Sequence, residues 1–152
     1  MLKDQKDLLS AFNAHGVEYL VVGGQAVNAY GVPRATKDVG VLIRSSPENS
    51  ERVYRALSAF GAPVATFRPE DFRDQPDAVI QFGVEPNRID ILQSVGSLDF
   101  EEAWQRRTVK AIDASLSAPF LALEDLIQNK VETGRLQDLA DADGLRKISK
   151  VR

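Results

Sequence analysis

The stretch from Tyr19 to Ile43 constrains the fold more than any other. Tyr19 to Val22 is an apolar run with the length and composition of a buried strand, and it stops at the pair Gly23-Gly24. Gln25 to Tyr30 reads as a short helical segment closed by Gly31. A polar connection through Pro33, Arg34, Thr36 and Lys37 then leads to a second apolar strand, about 38–43, with Asp38 near its start. The order is strand, Gly-Gly turn, helix, strand with an acid. Glycines at a helix start let backbone N–H groups come close to an anion, which the helix dipole favours. An acid on the next strand is placed to hold a cation against that anion. Phosphate with magnesium is the chemistry this points to.

The flanking sequence reads as further elements of one α/β unit. Residues 2–14 form an amphipathic helix with Leu2, Leu8, Leu9 and Phe12 at helical spacing, ended by His15 and a left-handed Gly16. His15 is the only histidine, and a cationic helix C-terminus explains it better than catalysis does. Ser46 as N-cap and Pro47 at the first position open a helix that buries Val53, Leu57 and Phe60 and ends at Gly61. Residues 62–78 are irregular, either a solvated connection or a substrate-contacting loop around Phe67, Arg68, Phe72 and Arg73.

Val79 to Phe82 and Arg88 to Leu92 read as a hairpin turning around 83–87. Alternation places Ile89 and Ile91 on one face of the second arm and Asp90 with Leu92 on the other. An acid in a buried strand is costly unless it is paired or metal-bound. Asp90 is therefore a metal-ligand candidate, with an edge-strand acid facing water or pairing with Arg88 as the alternative. A short helix over 99–105, a strand over 108–112, a helix over 124–132 ended by Gly134 and a last helix over 136–148 complete the expectation. Trp104 is expected in the core, and the basic residues from Arg146 to Arg152 as a solvated end.

Gly23-Gly24 followed by Arg34-Ala-Thr-Lys-Asp38 and an apolar strand resembles the nucleotidyltransferase superfamily that includes DNA polymerase beta. The likeness is greatest to its small stand-alone members, the AbiEii-type toxin nucleotidyltransferases and the antibiotic nucleotidyltransferases. Lys130, Arg135, Asp138 and Asp141 match, in order, the lysine, arginine and two acids that the toxin-like members carry around their last two helices. The resemblance spans about Leu8 to Ile148. It implies a minimal nucleotidyltransferase fold of the α/β (α+β) class: a small mixed sheet flanked by helices, with a C-terminal helical pair. It also implies metal-binding and catalytic roles for Asp38 and Asp90, and nucleotide binding by Gly23, Gly24, Arg34, Thr36, Lys130 and Arg135. Gly23 and Gly24 would cradle the outer phosphates, Lys130 and Arg135 would neutralise the triphosphate tail, and Arg34 and Thr36 would serve positioning.

One position departs from the family pattern. Where these enzymes carry acid-apolar-acid on the second strand, this chain reads Asp38-Val39-Gly40. Acids at i and i+2 of a strand share a face, and with a third acid they can hold two metal ions about 4 Å apart for an in-line displacement at phosphorus. Magnesium is often held by one or two carboxylates plus substrate phosphates, so a site for Mg2+ or Mn2+ survives on paper. Alignment of the attacking hydroxyl should suffer most.

The expected function is transfer of a nucleoside monophosphate from a nucleoside triphosphate to a tRNA end, a protein hydroxyl or a small molecule, impaired by Gly40. A toxin role with an antitoxin partner is part of what the resemblance implies. The alternative is a non-catalytic nucleotide-binding or interaction module that has lost its metal site. Length bounds the rest: 152 residues suit one domain, 1–152, and are too few for two ordinary ones. With no cysteine there is no disulfide framework or thiolate metal site. A net charge of −3 disfavours non-specific nucleic-acid binding, though Arg34, Lys37, Lys130 and Arg135 could converge on a local basic groove. No apolar run reaches the roughly 20 residues of a membrane span, and the polar N-terminus is no secretory signal, so a cytoplasmic protein is expected.

Overall fold

The structure, a computed structural model, describes residues 1–84 and 87–151. Six strands form one mixed sheet in the order β3-β4-β2-β1-β6-β5. They are β1 (Tyr19–Val22), β2 (Val39–Ile43), β3 (Val79–Phe82), β4 (Ile89–Leu92), β5 (Thr108–Ala111) and β6 (Ser117–Phe120). Six helices flank the sheet: α1 (Lys3–Ala14), α2 (Gly23–Ala29), α3 (Pro47–Phe60), α4 (Phe100–Arg106), α5 (Leu123–Thr133) and α6 (Leu136–Val151). This is the expected mixed α/β architecture, with α5 and α6 as the C-terminal pair. No helix among the described residues is long and apolar enough to cross a membrane.

The topology places three chain segments at one end of the sheet. β1 runs antiparallel to β2, with Val22 opposite Gly40, so the end of β1 meets the start of β2. β2 runs parallel to β4, with Gly40 beside Asp90, so the starts of those two strands coincide. Gly23, Asp38 and Asp90 are neighbours for that reason. β1 is buried along its whole length and β2 at four of its five positions, as expected for central strands covered on both faces.

Local signals in the sequence are met closely around α3. Ser46 accepts from the Asn49 amide at 3.2 Å, Pro47 stands at the first helical position, and Gly61 takes φ +98°. Gly16 is left-handed after α1, and His15 caps the helix by pairing its Nδ1 with the Ala11 carbonyl at 2.9 Å. Four expectations need correction. Leu2 lies outside α1 and is 42% exposed, while the amide face at 5 carries the buried Gln5 instead. Residues 62–78 do not line the cleft and are a solvated connection only in part: Arg68 and residues 74–77 are exposed, but Phe72 is fully buried in a 3-10 turn and Phe67 packs on Phe72 and Phe82. Trp104 is half-buried, stacked on Phe100 and covered by the Arg107 guanidinium, and Ala103 is the residue of α4 that enters the core.

The fourth correction is β6. Pro119 argues against an interior strand because it cannot donate to a ladder, yet β6 sits between β1 and β5. Its pairing with β1 is confined to Val21 with Phe120, continued by the Leu121 amide to the Val21 carbonyl. Both contacts fall after the proline, so the missing N–H is not called on by β1. The last helix runs three residues beyond the expected end, to Val151, and its basic residues Arg146, Lys147 and Lys150 are exposed, as expected of a solvated end. The hairpin turn expected at 83–87 falls partly outside the described residues.

Candidate active site

A cleft of about 680 Å³ opens at the strand ends just described. Its floor is the sheet end with Gly23, Asp38, Gly40, Arg88 and Asp90, and its far wall is the α5–α6 corner with Lys130, Arg135 and Asp138. That volume suits a ligand of nucleotide size. All eight residues singled out from the sequence as site candidates line it: Gly23, Gly24, Arg34, Thr36, Asp38, Asp90, Lys130 and Arg135. Lys37 does not, so three of the four expected basic residues converge.

α2 begins on the glycines themselves. Gly23 takes φ +69°, a left-handed conformation that disfavours any side chain. Gly24 is required for a different reason: a Cβ there would come within 2.8 Å of Thr36 Oγ1 and 3.0 Å of Thr36 Cβ. The 32–38 connection thus folds down on the start of α2. Asn28 holds it there, donating to the Arg34 carbonyl at 2.8 Å and accepting from the Arg34 amide at 2.7 Å. Asn28 is a positioning residue that sequence reasoning passed over, since a polar side chain late in a short helix carries no distinctive pattern.

The wall is a buried ion network. The Lys130 ammonium lies 3.4 Å from Asp138 Oδ1 and 3.2 Å from Asp141 Oδ2. Arg34 reaches the same Asp141 carboxylate at 3.1 Å, and Arg135 donates to Asp138 at 2.8 Å. Burial pushes the Asp138 carboxyl up, but Arg135 and Lys130 outweigh it and hold the group below the ordinary carboxylate range. Arg135 is largely exposed at the cleft mouth, with 77% of its side chain accessible. Lys130 is enclosed by two acids, so Arg135 is the freer of the two cations.

Asp38 and Asp90 are bridged by Arg88. Its Nη2 donates to Asp38 Oδ2 at 2.6 Å, and its Nε lies 3.2 Å from Asp90 Oδ1. The Arg88–Asp90 pair weighed from the sequence is present, but β4 is an interior strand and the same guanidinium also takes Asp38. Burial raises the Asp90 carboxyl above its ordinary value; the Arg88 charge opposes this and the nearby Asp38 adds to it. Arg88 was legible in principle, since at i−2 it shares the face of Asp90. Gln5 on α1 braces the arrangement from behind, donating to the Lys37 carbonyl at 2.7 Å and the Arg88 carbonyl at 3.3 Å. Its signal was a polar residue in phase with Leu8, Leu9 and Phe12.

Whether these residues suit divalent metal is decided by their oxygens. Asp38 Oδ1 is buried without a hydrogen-bond partner, as a ligand oxygen would be, while Asp90 Oδ1 makes no hydrogen bond but is ion-paired with Arg88 Nε at 3.2 Å, so an ion on both acids must share Asp90 with the guanidinium or displace it. Gly40 supplies no third carboxylate, and no group of three or more Asp, Glu or His is assembled as a metal cage among the described residues. The donor set therefore fits one ion, completed by phosphate oxygens, and does not fit two.

Solved structures share this architecture, among them the following two. The lincosamide antibiotic adenylyltransferase LnuA, solved with lincomycin bound, superposes with a TM-score of 0.60 at 15% identity over 97% of this chain and 98% of its own. A putative nucleotidyltransferase from Thermotoga maritima gives 0.63 at 15% identity over 100% of this chain and 97% of its own. No curated protein matches the chain. At that identity the structural likeness speaks for the fold alone. The sequence itself carries the assignment, because a family model covers the cleft and nearly everything around it: over residues 2–148 this chain belongs to the nucleotidyltransferases of unknown function designated DUF6036.

Proposed function

We propose that this cleft binds a nucleoside triphosphate with one magnesium ion and transfers the nucleoside monophosphate to an acceptor hydroxyl, whose oxygen bonds to the alpha phosphorus as the alpha–beta anhydride breaks, releasing pyrophosphate and giving up the hydroxyl proton to solvent. The observation that carries the reading is the convergence of Gly23-Gly24, Asp38 and Asp90 with the cationic corner of Arg135 and Lys130 in one cleft. The glycine backbone at the start of α2 receives phosphate oxygens with no Cβ in the way. Arg135, exposed at the mouth, takes the phosphate tail. Lys130 and Arg34 neutralise Asp138 and Asp141 behind it, so Arg135 leaves the corner with a net charge of +1.

Asp38 and Asp90 would hold the ion, which supplies charge neutralisation at the phosphorus when bound. The protein's own part is to align: Gln5 and Asn28 fix the backbone that carries Asp38, Arg88 and Arg34, so the phosphates meet a preorganised set of charges. Gly40 is the specific observation behind a second reading, a nucleotide-binding module that does not catalyse transfer. As acceptor we favour a small molecule or an RNA or protein end reached from the open side of the cleft, with the toxin-like role and its antitoxin partner as a corollary of the family likeness in the Lys130–Asp141 segment.

Calorimetric titration with each of the four ribonucleoside triphosphates, with and without magnesium, tests the reading without knowledge of the acceptor. The expected result is binding of at least one triphosphate that strengthens about tenfold or more with magnesium, the scale of one added charge contact. Binding indifferent to magnesium would favour the non-catalytic module, and no binding of any triphosphate would remove the proposal.

A further inference from the structure

On the sheet face that floors the cleft, positions 38, 40, 88 and 90 form a two-by-two grid. The parallel register sets it: Val39 stands beside Ile89 and Gly40 beside Asp90, and the Val39 amide donates to the Arg88 carbonyl at 3.1 Å. Side chains two apart on a strand share a face, so the corners read acid, guanidinium, acid and blank. The blank corner is Gly40. The guanidinium spans the two acids at 2.6 and 3.2 Å, and all three side chains are mostly buried, at 26, 31 and 20% exposure for Asp38, Arg88 and Asp90.

Two like charges this close repel, and a cation between them removes most of that penalty. In this chain the cation is built in. The trio carries a net charge of −1, which attracts a free divalent ion far less than two unpaired carboxylates would. An ion approaching alone must share the carboxylates with a fixed positive charge or displace it. An ion arriving with phosphates meets a different situation. Phosphate offers the guanidinium the same bidentate geometry as carboxylate, so Arg88 has somewhere to go.

We propose that Arg88 is a resident cation that keeps Asp38 and Asp90 closed to free divalent metal and yields them only to a metal–nucleotide complex, its guanidinium passing from the carboxylates to the phosphates. Gln5, bonded to the Lys37 and Arg88 carbonyls, holds the backbone at both corners, so the exchange is one of side chains alone. The inference rests on the nucleotide reading of the cleft for its second half only; the competition between Arg88 and metal stands without it.

The test is Mn2+ binding to the nucleotide-free protein, followed by paramagnetic resonance of the free ion, for the wild type, Arg88→Met and Arg88→Lys. Arg88→Met should bind Mn2+ at least about tenfold more tightly than wild type, as removal of one cation a few ångströms from the site requires. Adding Asp38→Asn to Arg88→Met should abolish the gain, and Arg88→Lys should stay near wild type. Equal Mn2+ affinity for folded wild type and Arg88→Met would overturn the proposal. If Arg88→Met does not fold, the side-chain nitrogen resonances of Arg88 in the wild type decide. Saturating magnesium alone should leave them in place, and magnesium with triphosphate should shift them. A full shift with magnesium alone would overturn the proposal. A failure of any triphosphate to bind would strike the nucleotide reading and its hand-over, while the Mn2+ comparison would still decide the competition.

Discussion

Lys130→Ala is expected to lower the free energy of unfolding by about 3 kcal/mol, the lower end of what breaking a buried ion pair costs. Lys130 and both its acid partners are nearly inaccessible, with side-chain exposures of 8% for Lys130 and 2% each for Asp138 and Asp141. Removing the ammonium leaves two buried carboxylates with Arg135 and Arg34 as remaining cations. Arg135 is exposed and screened by water, so it compensates only in part. The pH dependence separates this cause from a packing defect. Asp138 has a depressed folded value, so its contribution to stability is present above the ordinary carboxylate range and is lost as pH falls through its own lower value. The difference between Lys130→Ala and wild type should therefore be largest near neutral pH and shrink on acidification, as protonation discharges the orphaned acids. Urea unfolding from neutral to acidic pH measures it. A difference below about 1 kcal/mol, or one flat with pH, would mean that Lys130 is not the keystone of this network.

Gly40→Asp is expected to raise nucleotidyl transfer by about a hundredfold, the scale of restoring one electrostatic stabiliser at a reacting centre. The backbone permits it. A Cβ at position 40 would lie 3.5 Å from Val22 Cγ2 and 3.7 Å from Leu92 Cδ1, ordinary contact distances, and the new carboxylate would share the face of Asp38 and Asp90. Without metal the substitution should destabilise, since a third acid joins a group balanced by Arg88 alone. With magnesium the melting temperature should rise more than in the wild type, because an ion that binds only the folded state stabilises it by mass action. If Gly40→Asp gains neither magnesium affinity nor activity, the grid is not a metal site.

The strand, Gly-Gly, helix and strand order was legible because each boundary has a local chemical cause: a left-handed Gly23, the caps of α3, the period-2 alternation that put Asp90 and Leu92 on one face. β6 was not legible, because Pro119 is a strong local signal against a strand and only the register with β1 shows why it is tolerated. Phe72 was hidden by its prolines and charges, which describe the path of a loop and say nothing of what the loop covers. The site was readable as a set of residues and not as a set of partnerships. Sequence places Asp38 at the start of one strand and Asp90 within another, but the parallel register that makes those strands neighbours and puts Arg88 beside Asp38 is a tertiary fact. The same holds for Lys130, which reads as a phosphate ligand until Asp138 and Asp141 are seen to enclose it.

A crystal structure with a non-hydrolysable nucleoside triphosphate and Mn2+, the ion located by its anomalous scattering, tests the nucleotide site most directly. The outer phosphates are expected against Gly23 and Gly24, with one ion on Asp38 and Asp90 and Arg135 toward the phosphate tail. A nucleotide bound elsewhere, or phosphates in the cleft with the ion away from both acids, would contradict this placement.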